Sequence, residues 1–183
     1  MAANPGDFTT LANLKRYLNP GSNDDTLLQQ LLTAASFALA NFINRDIVSQ
    51  SYTDVIDGSR QRVMVLPNYP ITAVASVTID GVAVPVGSVT TSGYYFTKNS
   101  VILNGYCFNK GYGNVVITYT AGYTTIPYDL EQFLIGTVQY WLNDRQRAGE
   151  VSRSMAGQTI SYSQKDMPEW VKTGLNQWKA VFA

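Results

Sequence analysis

Three aspartates, a glycine-rich loop and one cysteine are the residues of this chain whose types could do chemistry. Asp54, Asp57 and Asp80 could act as paired general acid and base or ligate calcium, because carboxylate oxygens serve both ends. Two of them stand in Asp57-Gly58 and Asp80-Gly81, the dipeptides that tight turns use. No D-x-D-x-D-G loop surrounds them, so the spacing favours turns. The stretch "GYCFNKGYG", residues 105–113, sets three glycines around Lys110. A phosphate-cradling loop needs its lysine followed by Ser or Thr and then a helix, whereas a strand follows here. Cys107 has no histidine to activate it and is expected as a partly buried small hydrophobe. The chain contains no histidine, which removes Ser-His-Asp and Cys-His catalysis and imidazole zinc sites. An enzyme built on this chain would have to use paired carboxylates or lysine instead, and no cofactor or metal is expected.

Composition points the same way. Charged residues make up only 14% of the 183 residues, against roughly 25% in a typical soluble domain. Aromatics reach 12%, with 12 Tyr and 3 Trp. Such a chain either buries more of its surface than usual or meets partners through polar, uncharged faces, and either way suits an assembly component. Lys+Arg and Asp+Glu balance at 13 each, so no net field draws it to nucleic acid or anionic membrane. The basic pairs Lys15/Arg16, Arg60/Arg62 and Arg145/Arg147 read as solvated faces and helix ends, with phosphate contact as their other use. No apolar run approaches the roughly 20 residues of a membrane helix, and "MAANPGDFTT" has no signal-peptide pattern. Synthesis in the cytosol and no membrane partner are expected.

Helical spacing governs both ends of the chain. "FTTLANLKRYLNPGS" places Leu11, Leu14 and Leu18 on one face and stops at Asn19-Pro20-Gly21. A longer helix begins behind Ser22 or Asn23 and carries Leu27, Leu28, Leu31, Leu32, Ala35, Leu39, Phe42 and Ile43. From Ser51 to Gly122 the period is two, in short Val-, Ile-, Thr- and Tyr-rich runs separated by turn dipeptides. That pattern predicts an antiparallel meander, with Asp80-Gly81 as its clearest hairpin turn. Helical spacing returns at Pro127 with Leu130, Phe133, Leu134, Val138, Trp141 and Leu142. It recurs behind Pro168 with Trp170, Val171, Leu175, Trp178 and Val181. The expected fold is α+β: a small bundle of about four helices, residues 1–50 and 123–183, with an antiparallel β-subdomain, residues 51–122, inserted between the second and third main helices. Insertions of this kind are tolerated when their ends lie close together.

Residues 149–167 are a long polar stretch of weak strand character. It reads either as a linker or as an interface arm whose Ser154, Ile160 and Tyr162 add to a neighbour's sheet edge.

The order of these parts resembles the head–tail connector (adaptor) proteins of tailed bacteriophages. The resemblance runs through "DDTLLQQLLTAASFALANFINRDI", "DGSRQRVMVLPNYPITAVASVTIDG", "NVVITYTAGYTTIPYDLEQFLIGTVQYWLNDR" and "SRSMAGQTISYSQKDMPEWVKTGL". It implies a structural virion protein that is not an enzyme, made in the host cytoplasm and placed in the neck. Such a protein forms a homo-oligomeric ring, commonly of twelve copies, that binds the portal protein and extends the DNA channel. Double-stranded DNA passes through without sequence-specific binding, and a downstream neck or tail completion protein docks below. The resemblance also makes Trp170, Leu175 and Trp178 docking candidates, with simple closure of the bundle as their plain alternative. A second reading is a carbohydrate- or ligand-binding β-module on a helical support, suggested by Tyr69, Tyr94, Tyr95 and Tyr106.

Overall fold

Apolar residues spaced three and four apart become helices wherever a second stripe exists to cover them. The computed structural model describes residues 6–18, 25–145, 152–155, 158–161 and 167–180. Helix α1 (Leu11–Leu18) buries Leu14 completely, and the Thr10 hydroxyl caps it by accepting from Asn13 N at 3.3 Å. Helix α2 (Asp25–Ile43) seals Leu28, Leu32, Ala35, Leu39 and Ile43 at 0% exposure. By length and composition alone α2 could cross a membrane; its sealed stripe makes it the core helix of this bundle. The Ser36 hydroxyl on the same face donates to Leu32 O at 2.9 Å and accepts from Phe8 N at 3.2 Å, which holds the N-terminal approach onto α2.

Helix α3 (Tyr128–Arg145) opens behind Pro127 as the sequence predicts. Its sealed face differs from the expected stripe. Leu130, Glu131, Leu134, Ile135, Thr137 and Val138 are buried, whereas Phe133, Trp141 and Leu142 are half-buried. Polar side chains enter this face because each finds a partner: Thr137 donates to Phe133 O at 2.8 Å, and Glu131 accepts from Thr9 and Asn13. Helix α4 (Glu169–Leu175) runs into a 3₁₀ turn, Asn176–Trp178. Val171 and Leu175 are sealed. Two glycines let α3 and α4 approach: a Cβ on Gly174 would lie 2.2 Å from Phe133 Cζ, and one on Gly136 2.4 Å from Trp170 Cζ2. Phe133 and Trp170 meet there at 5.9 Å between ring centres. Trp178 Nε1 donates to Asp129 Oδ2 at 2.9 Å, and Ala180 N to Ile43 O at 2.9 Å, which ties the C-terminal turn to α3 and α2. These helices form one unit, residues 1–45 and 126–181.

The second unit, residues 46–125, contains seven strands: β1 (Gln50–Gly58), β2 (Val63–Val65), β3 (Ile71–Ile79), β4 (Val82–Val84), β5 (Gly93–Phe96), β6 (Ser100–Asn104) and β7 (Gly111–Ala121). All ladders between them are antiparallel, but the strands do not form the expected meander. They make a four-stranded sheet in the order β1-β7-β3-β4 and a three-stranded sheet in the order β2-β6-β5. The long β7 is central, pairing with β1 on one side and β3 on the other. Val115, Ile117, Tyr119 and Ala121 alternate inward along it and are fully buried, joined in the core by Val77, Val101 and Phe108.

Local turns resolve differently from one another. Asp80 and Gly81 have φ of 51° and 80°, the positive pair that a type I′ hairpin requires, and they join β3 to β4. Asp57-Gly58 is no turn. It ends β1 beside a bulge, where a Cβ on Gly58 would strike the Asn109 carbonyl oxygen. Within the β-unit, entry and exit run side by side: Tyr123 N donates to Ile47 O at 2.7 Å and Ser49 N to Tyr123 O at 3.1 Å. Residues 152–155 and 158–161 form a further antiparallel hairpin, β8 and β9, with Arg153 opposite Ile160.

Candidate functional site

The residues with chemical potential are spent on structure. Asp54 accepts from the Tyr119 hydroxyl at 2.6 Å, and Asn68 donates to that hydroxyl at 3.2 Å. Burial, reinforced by the Asp54 hydrogen bond, pushes the Tyr119 hydroxyl well above the usual tyrosine range. Asp57 accepts from Gly113 N at 2.6 Å. Asp80 accepts from Asn109 at 2.7 Å and Asn114 at 2.9 Å, and these bonds hold its carboxyl below the ordinary range. No group of three or more potential metal ligands occurs among the described residues.

The 105–113 loop buries Phe108 and leads directly into β7, so it carries no helix N-terminus for a phosphate. Cys107 is exposed, contrary to the sequence expectation. Phe108 next to it takes the inward position, which turns Cys107 towards solvent. Among the tyrosines of the ligand-module reading, Tyr94 is buried, its hydroxyl donating to Val74 O at 3.3 Å. Tyr69 and Tyr95 are half-buried and Tyr106 is exposed. Tyr94 therefore offers no face to a sugar ring.

Trp170 is 54% exposed and packs one side of its ring on Phe133. Trp178 is half-buried, its indole held by Asp129. Leu175 is sealed inside its own unit and presents no surface as it stands. Ser154 lies on β8 opposite Thr159, and Ile160 on β9 opposite Arg153. Tyr162 lies outside the described residues.

Two surfaces were not legible in the sequence. On the β-unit, Val55, Val63, Val65, Val82, Val86 and Val89 are each exposed, spread over β1, β2, β4 and the segment after it. On the helical unit, Asn13, Arg16 and Tyr17 of α1 face Tyr128 and Glu131 of α3 across an open groove of about 500 Å³. Tyr17 and Tyr128 are 57% and 79% exposed. Glu131 at the floor is only 9% exposed. Its Oε1 takes both hydrogen bonds, from the Thr9 hydroxyl and from Asn13 Nδ2 at 3.0 Å. The first turn of α3 thus does more than open a helix. Asp129 and Glu131, two acidic residues where a helix start favours negative charge, serve here as tertiary anchors.

An α+β chain in which an antiparallel β-unit interrupts a helical unit is the class that these observations define. The chain belongs to the head completion protein family, whose model matches residues 7–181, and this bears out the resemblance to phage connector proteins. Among solved structures it is similar to a chain in the neck of an empty gene transfer agent (GTA) particle computed with C6 symmetry. That match has 20% identity and TM-score 0.62, and covers 100% of this chain and 95% of the other. A chain in the virion of the native gene transfer agent particle matches at 21% identity and TM-score 0.62, over 100% and 95%. A third, in the native neck computed with C12 symmetry, matches at 20% identity and TM-score 0.61, over 100% and 94%. At these identities the likeness is one of fold. No curated protein matches significantly.

Proposed function

We propose that this chain is a structural neck protein of a phage-like particle, a head–tail connector that assembles as a ring on the portal after DNA packaging. It extends the channel and offers the docking surface for the next neck or tail component. The observation that carries this reading is the family match over residues 7–181, which takes in the helical unit, the inserted β-unit and the arm together. Similar folds occur in necks described with C6 and with C12 symmetry, and a twelve-copy ring satisfies both. A ring contact is heterologous, so each copy must cover two different faces. The α1–α3 groove and the exposed valines of the β-unit are the regions proposed for these contacts. A formal net charge of zero suits a lumen through which duplex DNA slides without being gripped. Trp170 and the arm, with Ser154, Ile160 and Tyr162, are the proposed contacts to the portal or the adjacent copy, and Trp178 with Leu175 supports them from within.

The test is complementation. Heads packaged without this chain should lose DNA and fail to join tails, and purified chain should restore both. Heads that retain their genome and join tails without it would refute the reading.

A further inference from the structure

A single asparagine of this chain is followed by glycine: Asn104-Gly105, where β6 ends. In that dipeptide the asparagine loses its side-chain amide most readily, because glycine has no Cβ to hinder the approach of its own backbone nitrogen. In the folded chain the amide is held. Asn104 Nδ2 donates to Ser88 O at 3.2 Å, Val89 O at 3.1 Å and Thr91 O at 3.2 Å. The backbone of Asn104 is fixed too, by pairing with Gly93 of β5. These bonds anchor the segment 85–92 on β6. Its other ties run from Ser88 N to Thr91 O at 3.1 Å and from Gly87 N to Tyr94 O at 2.8 Å. Val86 and Val89 stand exposed on it.

We infer that Asn104-Gly105 is a site of spontaneous deamidation that folding closes and that an unfolded chain leaves open. The Gly105 nitrogen attacks Asn104 Cγ. The new N–Cγ bond forms, the Cγ–Nδ2 bond breaks, and Nδ2 departs as ammonia with the proton that Gly105 gives up. Water then opens the cyclic imide to aspartate or isoaspartate. In the folded chain the amide swings to Gly105 only by leaving three carbonyl oxygens without this donor, so the attack waits on local opening. The product does not refit. A carboxylate accepts and cannot donate, so Ser88 O, Val89 O and Thr91 O meet a negative charge where they met a donor. Isoaspartate also adds a backbone carbon, which upsets the register with Gly93. A chain that reacts before it folds therefore carries a loosened 85–92 segment, with both of its valines.

The experiment incubates the full chain at mildly alkaline pH, once folded and once in urea, and follows the conversion of amide to acid at each asparagine by peptide mass spectrometry. Asn104 should react first in urea, and about tenfold more slowly or slower still in the folded chain. Equal rates in the two states, or another asparagine reacting ahead of Asn104 in urea, overturn the inference. Asn104→Asp supplies the product directly. Its amide hydrogen exchange over residues 86–92 should rise about tenfold, while that of β7 stays as in the unsubstituted chain. Unchanged exchange over 86–92 would also overturn the inference. Should Asn104→Asp not fold, the two rates measured on the unsubstituted chain decide alone.

Discussion

At the scale of single residues, the tyrosine and aspartate pairs of the β-unit are structural. Tyr119 stacks on Tyr52 at 5.6 Å and bonds Asp54. Tyr119→Phe keeps the stack and removes the hydroxyl, so it should cost about 1 kcal/mol of stability, read as a lower urea midpoint with unchanged assembly. The pH dependence follows from the raised folded pKa of this hydroxyl. Above its unfolded value of 10.0 the unfolded chain gives up the proton while the folded chain keeps it, so stability is fully present below that pH and falls as pH rises beyond it. Alkaline unfolding monitored by circular dichroism should therefore begin above about pH 10 and be less steep in Tyr119→Phe. Asp80 has the opposite sign: its lowered pKa adds stability that is lost as pH falls through the acid range.

At the scale of elements, the contact of α3 with α4 depends on absent side chains. Gly174→Ala drives a methyl into Phe133 and should destabilise the helical unit by about 1–3 kcal/mol, seen as a lower melting temperature and altered Trp170 fluorescence. Leu175→Ala should cost more, about 2–5 kcal/mol, because the side chain is sealed. The helices themselves were legible in the sequence, since Leu28, Leu32, Leu39 and Ile43 repeat at helical spacing and Pro127 and Pro168 mark starts. On α3 the sequence spacing also marked Leu130, Leu134 and Val138, all sealed, but not the burial of Glu131, which depends on Thr9 and Asn13, more than a hundred residues away. Strands were likewise legible from their period of two, and the Asp80-Gly81 hairpin from its turn chemistry. The pairing of β1 with β7 was not: nothing local in either run selects a partner so far along the chain. Cys107 and Tyr94 show the same limit, since the inward or outward sense of each is decided by the core around it.

For the whole molecule, neutrality makes a prediction that separates a conduit from a DNA-binding protein. Few uncompensated cations means few released counterions. The purified chain should leave duplex DNA unshifted in gel mobility at physiological salt, and lowering the salt should change that little. Tight retention of duplex would contradict a lumen that lets the genome pass. The groove was invisible at this scale from sequence alone, because it is a property of side chains brought together from separate segments.

The adjoining backbone at Ile47, Ser49 and Tyr123 makes the β-unit a cassette with a single narrow base. A lineage of such chains could exchange everything between those positions while the helices encoded on either side keep their own packing. Replacing residues 46–125 by a short glycine-serine bridge should accordingly leave a helical protein that still melts cooperatively, and the discarded segment becomes the natural place to look for divergence between hosts.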